Sequence, residues 1–276
     1  MDKQVELVEI ERKDAVAIVR LNAEHTRNSL SNGMRAALAA ALAQVGADTE
    51  VRAVYLTSRG PNFCSGGDLR ALDEVRDDAW AVHRRFRDMG RWLLPFMRIE
   101  KPVIAGVRGY AVGGGFGLAL AADLVIASDT AKFMASWMRM GIMPDALAMY
   151  TLPRLIGLAK ARRLFITEEA LDPFQAQELD LVAEVVPDDQ LDARGIELAQ
   201  AFAAGPADVW GLTKLVLSRT FETGIDDMFL LEGLGQVVAM GGPEFGQRLR
   251  GFLDKQPPRP SVGDKLKQRG KAAGPR

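Results

Sequence analysis

The segment from Gly109 to Gly117, GYAVGGGFG, constrains this chain more than any other. It follows the apolar run Pro102 to Val107 and leads into the alanine- and leucine-rich stretch Leu118 to Ala122. A buried strand that ends in consecutive glycines and restarts as a helix leaves backbone N–H groups unpaired at the positive end of a helix dipole, a place suited to developing negative charge. A second segment of this kind lies upstream, where Ala53 to Thr57 runs into SRGPNFCSGGDLR, from Ser58 to Arg70. Two glycine turns, each after a strand, can aim one N–H apiece at a single oxygen. That is the arrangement of an oxyanion hole.

Composition narrows the chemistry. With 35 basic and 36 acidic residues the formal charge is −1, and no basic stripe interleaved with aromatics runs through the part expected to fold, so nucleic acid is not an expected partner. One cysteine, Cys64, excludes an internal disulfide. Two histidines, His25 and His83, beside that cysteine do not make a metal site of ordinary ligand type. No segment has the order of a signal peptide and no apolar run is long enough for a bilayer, so a cytoplasmic, membrane-free protein is expected. At 276 residues, 48% of them apolar, one main domain with a smaller appendage is the default.

Periodicity outlines the elements. Val5 to Ile10 and Ala15 to Leu21 read as strands joined by a turn at Arg12-Lys13-Asp14, and Ser31 is placed to cap a helix over Met34 to Val45. Ala79 to Met97 reads as an amphipathic helix before the strand that ends in the second glycine turn. Leu124 to Ala127, Lys132 to Met134 and Ala183 to Val186 read as further strands, so strand and helix signals alternate to about residue 190 and predict an α/β body. Beyond Leu191 the patterns are helical: Leu191 to Ala203, Ala207 to Phe221, Ile225 to Met240 and Pro243 to Leu253. Phe229-Leu230-Leu231 and Val237 to Met240 offer more apolar surface than so small a part needs, which suits contact with another subunit as well as packing on its own core. The expected divisions are 1–200 for the core with the site, 201–256 for a helical oligomerisation part, and 257–276 for a disordered basic tail.

Three separated stretches carry a family likeness in the right order: FCSGGDL, KPVIAGVRGYAVGGGFGLALAADLVIAS and AKFMASWMRMGIMPDALAMYTLPRLIG. Across about residues 5 to 255 the chain resembles the crotonase superfamily, the enoyl-CoA hydratases and isomerases. The resemblance implies a spiral of ββα units with a helical C-terminal trimerisation part, a homotrimer or dimer of trimers, and acyl-CoA thioester substrates. Coenzyme A would enter as part of the substrate, with no prosthetic group. It also implies that the oxyanion-hole N–H groups belong to Gly67 and Gly114, and that the CoA nucleotide lies along Cys64, Ser65, Asp68 and Leu69. Arg27, Arg70 and Lys255 become candidate phosphate partners, since cations near a pyrophosphate form charge-assisted bonds.

The chain departs from the hydratases of that family. Their two glutamates, which position water and deliver a proton, fall on Gly117 and Trp137, and neither can move a proton. Asp145 remains, after Met143-Pro144. An aspartate after a proline can simply cap a helix. Family members with other chemistries, dienoyl-CoA isomerases and 3-hydroxyisobutyryl-CoA hydrolase among them, carry a working aspartate at this place. Met143, Leu147 and Trp137 would desolvate it and raise its pKa.

The segment from Ala131 to Gly157 is also similar to 4-chlorobenzoyl-CoA dehalogenase, in which a tryptophan and an aspartate at the places of Trp137 and Asp145 are ring contact and nucleophile. The catalytic histidine of that enzyme falls on Gly90, and His83 lies two helical turns earlier as a surface residue. Trp137 would then wall an acyl pocket, with Met134, Met138, Met140, Met143 and Met149 as adaptable lining. Three readings stay open: acid/base work by Asp145 on a thioester enolate, nucleophilic attack by Asp145 as in a hydrolase or dehalogenase, and a silent CoA-ester binder.

Overall fold

Alternate residues face opposite ways along a strand, and this chain uses both faces. In Val8–Lys13 (β1), Val16–Leu21 (β2) and Ala53–Ser58 (β3), every residue of the latter two is buried. Val19, Leu21, Val54 and Leu56 enter one core, whereas Val16, Ile18, Ala53 and Tyr55 enter a second on the other side of the sheet. The computed structural model describes residues 6–257 and 261–270, and side chains only as far as 266 in the latter stretch.

The helix Asn32–Ala47 (α1) joins β2 to β3, and Leu69–Asp73 (α2) and Ala79–Met97 (α3) lie between β3 and Val103–Val107 (β4). Next come Tyr110–Val112 (β5), Gly114–Leu120 (α4), Leu124–Ser128 (β6) and Lys132–Met134 (β7). Ala148–Ile156 (α5), Leu158–Thr167 (α6), Ala170–Leu171 (β8), Pro173–Glu178 (α7) and Glu184–Val186 (β9) complete the α/β body. A six-stranded sheet has the order β1-β2-β3-β4-β6-β9, antiparallel between β1 and β2 and parallel elsewhere. A smaller sheet, β5-β7-β8, stands beside it. Since β4 belongs to the large sheet and β5 to the small one, the chain changes sheets at Arg108-Gly109, one three-residue strand before the triple glycine.

Helices α1, α3 and α4 contribute to the first core through Leu38, Phe96 and Phe116. Leu191–Ala203 (α8) covers the opposite face through Leu191, Leu198 and Ala199. Its closest approach is made by Gly195, where a Cβ would lie 2.1 Å from the Tyr55 ring. Ala207–Leu217 (α9), Ile225–Gly241 (α10) and Pro243–Leu253 (α11) follow, and Ile225, Phe229, Leu230, Val237 and Val238 of α10 are exposed in the single chain. No helix among the described residues is long and apolar enough to cross a membrane.

Several sequence expectations shift. The first hairpin turns at Asp14, whose φ of +54° is the left-handed conformation such a tight turn requires, so β1 extends to Lys13. Helices α5, α6 and α7 and the short strands β5 and β8 are additions to the elements expected from sequence; α7, β5 and β8 span only six, three and two residues. Residues 262–270, expected to be disordered, form a helix, Val262–Gly270 (α12). Ser261 Oγ accepts from the Asp264 N–H at 3.1 Å while Asp264 Oδ2 accepts from the Ser261 N–H at 2.8 Å, a reciprocal cap that starts the helix. Val262 and Leu266, one turn apart, pack on the second core. The rest of the expected tail, residues 258–260 and 271–276, lies outside the described residues.

A buried ion pair ties α9 to the sheet. Asp123, at the start of β6, accepts from Lys214 Nζ and from the Val103 N–H, both at 2.8 Å, and the two side chains are about one-tenth exposed. Removing one partner of such a pair strands the other charge in the protein. Lys214→Met is expected to lose about 3–5 kcal/mol of stability, and the double variant Asp123→Leu/Lys214→Met to recover most of it. Chemical denaturation midpoints check both.

Candidate active site

The two glycine turns are stacked. The Cys64 N–H donates to the Tyr110 carbonyl at 2.9 Å, and the Cys64 carbonyl accepts from the Val112 N–H at 3.0 Å, so this stretch runs parallel to β5. Glycine makes the stacking possible. A Cβ on Gly115 would lie 2.3 Å from the Cys64 carbonyl oxygen, and one on Gly66, where φ is +91°, would lie 2.6 Å from the Val112 carbonyl oxygen and 3.4 Å from the Gly114 nitrogen. Gly66-Gly67 therefore abuts the start of α4. Gly113, at φ +51°, donates to the Met134 carbonyl at 2.9 Å and hands the chain to Gly114, the first residue of that helix. Leu30 seals the other side: its N–H donates to the Gly66 carbonyl at 2.7 Å, a contact that does not draw on the amide of Gly67.

Asp145 is brought to the same place. A Cβ on Gly114 would lie 3.9 Å from Asp145 Oδ1 and 3.2 Å from the Leu30 side chain. That oxygen accepts from Trp137 Nε1 at 2.7 Å, and the indole lies 3.8 Å from where a Gly113 Cβ would be. The loop that delivers the carboxylate is folded tightly: Ala146 and Leu147 both have positive φ, +49° and +61°, a strained conformation for residues with a side chain. Helix α5 starts from Leu147 with no side-chain cap, so Asp145 is not spent as a helix cap. Burial lifts its carboxyl above the ordinary range, against the Trp137 N–H and the charges of Arg85 and Arg35, which favour the ionised form.

Gly117 is filled by its neighbour. A Cβ there would lie 2.6 Å from the Ala146 carbonyl oxygen and 2.8 Å from its Cβ. The Asp145 loop thus occupies the space that a longer residue at position 117 would need.

The other expected residues divide. Trp137 is 2% exposed with its ring edge against Phe165, so it serves Asp145 as a donor and does not present an open face as the pocket-wall reading expected. Of the methionines, Met138, Met140, Met143 and Met149 are exposed in the single chain, so Met143 does not desolvate Asp145; Pro144 and Ala146 are the buried neighbours. Cys64 is fully buried, which pushes its thiol up to about 12 and rules it out as a nucleophile at neutral pH. Ser65 and Arg27 lie together, the Ser65 N–H donating to the Arg27 carbonyl at 3.0 Å. Asp68 caps α2, accepting from the Arg70 N–H at 3.0 Å, while Leu69 and Arg70 are exposed.

Lys255 is not brought to this site within one chain. It shares a surface with Ala204 and Glu244, the region that Arg52 holds at the N-terminal end of β3, whereas the glycine turns follow the C-terminal ends of β3 and β4. His83 is exposed, its ring against Trp80.

Sequence reasoning missed Arg35 and Arg85, both half-buried and both bound to Asn32 Oδ1, the Arg85 Nη1 contact at 2.7 Å. The signal was present, because Arg35 is the only charged residue within α1. Among the described residues no cluster of His, Cys, Asp or Glu could hold a metal ion.

Comparison with known proteins identifies the family. The sequence model for enoyl-CoA hydratase/isomerase matches residues 11–229. Two curated relatives are a 1,2-epoxyphenylacetyl-CoA isomerase from Escherichia coli, 33% identical over 88% of this chain and 94% of its own, and 4-chlorobenzoyl coenzyme A dehalogenase-1 from Arthrobacter sp, 30% identical over 90% and 91%. A solved enoyl-CoA hydratase/isomerase from Cupriavidus metallidurans superposes with a TM-score of 0.88 at 32% identity, covering 94% of this chain and all of that one. The chain therefore belongs to the enoyl-CoA hydratase/isomerase family, the crotonase superfamily, whose members act on acyl-CoA thioesters.

Proposed function

We propose that this protein moves a proton on an acyl-CoA thioester through an enolate, with Asp145 as the single acid/base. The observation that carries this reading is the Asp145 carboxylate held by Trp137 Nε1 at 2.7 Å, within 4 Å of where a Gly114 Cβ would be. The thioester carbonyl would receive the amides of Gly67 and Gly114. When Asp145 takes a proton from the carbon chain, the electron pair left behind delocalises onto the thioester oxygen, and those two N–H groups meet the charge. Each such donor is typically worth about 3 kcal/mol of barrier. Return of the proton two carbons away shifts the double bond with no net gain or loss of atoms, so isomerisation needs only one carboxylate. Water addition by two glutamates finds no support, since Gly117 has no room for a side chain and Trp137 is committed to Asp145.

A second reading rests on the Arthrobacter relative and keeps Asp145 as a nucleophile that attacks an acyl or aryl carbon. Mass spectrometry of rapidly quenched enzyme separates the two: a mass adduct on Asp145 during turnover supports attack, and turnover without one supports proton transfer. A CoA-ester binder without catalysis predicts binding of crotonyl-, 3-enoyl-, dienoyl- and aromatic CoA esters with no product from any of them.

The exposed apolar residues of α10 and α11, Phe229, Val237 and Phe252 among them, support contact with further subunits, for which the family likeness suggests a homotrimer or dimer of trimers. Sedimentation equilibrium measures the assembly.

Asp145→Asn should lower kcat about 100- to 10,000-fold while leaving CoA-ester affinity unchanged, read by turnover assays beside calorimetry. Trp137→Phe removes a bond to the ionised carboxylate, so the acid limb of the kcat/KM profile, already above the ordinary carboxylate range, should move to still higher pH. Gly117→Glu should fail to create hydration of crotonyl-CoA and should also lower turnover, because the new side chain must displace the Ala146 backbone; a gain of hydratase activity with Asp145 undisturbed would refute the spatial argument.

A further inference from the structure

Between α1 and α3 lies a cavity of about 490 Å³ bordered by Asn32, Arg35, Ala39, Arg84, Arg85 and Trp92. Four arginines line it with one acidic residue, Asp88. Two of them are accounted for, since Arg91 pairs with Asp88 at 2.9 Å and Arg84 approaches Asp78 at 3.5 Å. Arg35 and Arg85 have no carboxylate within ion-pair distance among the described residues. They share one neutral acceptor, Asn32 Oδ1, and Arg35 donates once more to the Arg85 carbonyl at 3.3 Å. Arg35 Nε is buried and has no hydrogen-bond partner.

Two half-buried like charges around a single amide oxygen form an unfavourable arrangement unless an anion completes it. Burial lowers the pKa of both guanidinium groups, and the charge of Arg85 lowers that of Arg35 further. The carboxylates that act on them from a distance are Asp88 on Arg35, Asp68 on Arg85, and Asp145 on both.

The cavity is also near the chemistry. Leu30 touches the Gly66 turn and Gly114, Arg35 lies in the first turn of the helix that starts two residues after it, and the charges of both Arg35 and Arg85 are felt at Asp145. The length of acyl chain that would join the glycine turns to the two guanidinium groups is left to the experiment, which therefore spans a series of chain lengths.

We propose that Arg35 and Arg85 form an anion site for a carboxylate at the far end of the acyl group, so that the substrate is an acyl-CoA ester bearing a second, free carboxyl. The proposal rests on the acyl-CoA reading above and adds the chemical class of the acyl group. A phosphate of coenzyme A presents the same anionic oxygens to these guanidinium groups, and the experiment distinguishes the two sources.

Calorimetric titration of the full-length protein with succinyl-, glutaryl- and adipyl-CoA is compared with butyryl-, pentanoyl- and hexanoyl-CoA and with free CoA. At least one carboxylated ester should bind roughly 10-fold or more tightly than its plain counterpart, the scale of a charge-assisted pair. Arg35→Gln and Arg85→Gln should each remove that preference without changing the affinity for free CoA, and Arg85→Lys should retain part of it. Thermal denaturation shows that the variants remain folded.

Equal binding of the carboxylated and plain esters overturns the anion site while leaving the acyl-CoA reading intact. A parallel loss of free CoA binding in the glutamine variants overturns it in favour of a CoA phosphate. Failure of every ester and of free CoA to bind overturns the acyl-CoA reading and this inference with it.

Discussion

The contact between Gly115 and the Cys64 backbone, with a missing Cβ that would stand 2.3 Å from a carbonyl oxygen, sets the spacing of everything around the site. It lets the stretch after β3 lie directly on the stretch after β4, so that two turns far apart in sequence end beside each other. Close packing of main chain on main chain is rigid, because no rotamer can yield. An amide held in this way keeps its direction without help from side chains, which is what preorganised stabilisation of charge demands. The switch of sheets at Arg108-Gly109 belongs to the same design: β5 leaves the large sheet to pair with β7, and α4 starts from the corner so made.

Around that corner the polar chemistry is sparse and therefore specific. One carboxylate, Asp145, is held by one indole N–H and feels two guanidinium groups, Arg35 and Arg85. Burial raises the Asp145 pKa, while Trp137, Arg85 and Arg35 hold it back. A carboxylate raised in this way is a stronger base than an ordinary one, which suits a group that must take up and return a proton. The strain at Ala146 and Leu147 is the local cost of placing it there.

Much of this was legible in the sequence, for identifiable reasons. Glycine turns after apolar runs are punctuation that few other structures require, and the helix cap at Ser31 is purely local: its Oγ accepts from the Met34 N–H at 3.1 Å as its residue type suggests. The contacts made across the fold were not legible. Nothing adjacent to Trp137 in sequence says that its nitrogen will reach Asp145 and bury the ring. Nothing adjacent to Gly117 says that Ala146 fills its space. Arg35 and Arg85 are 50 positions apart and meet only because α1 packs on α3. Lys255 was placed by family likeness, and its position in one chain follows from α11 docking near Arg52.

The last helix, α12, lies on the face of the sheet away from all of this. Arg194, 4% exposed, donates to Glu184 at 2.9 Å and to the Lys265 carbonyl at 2.9 Å, so α12 closes over an ion pair that joins α8 to β9. The protein thus separates its liabilities by sheet face. Removing the segment after Ser261 would take the Lys265 carbonyl from Arg194 and uncover the second core at Val262 and Leu266, loosening α8 while leaving the glycine corner undisturbed.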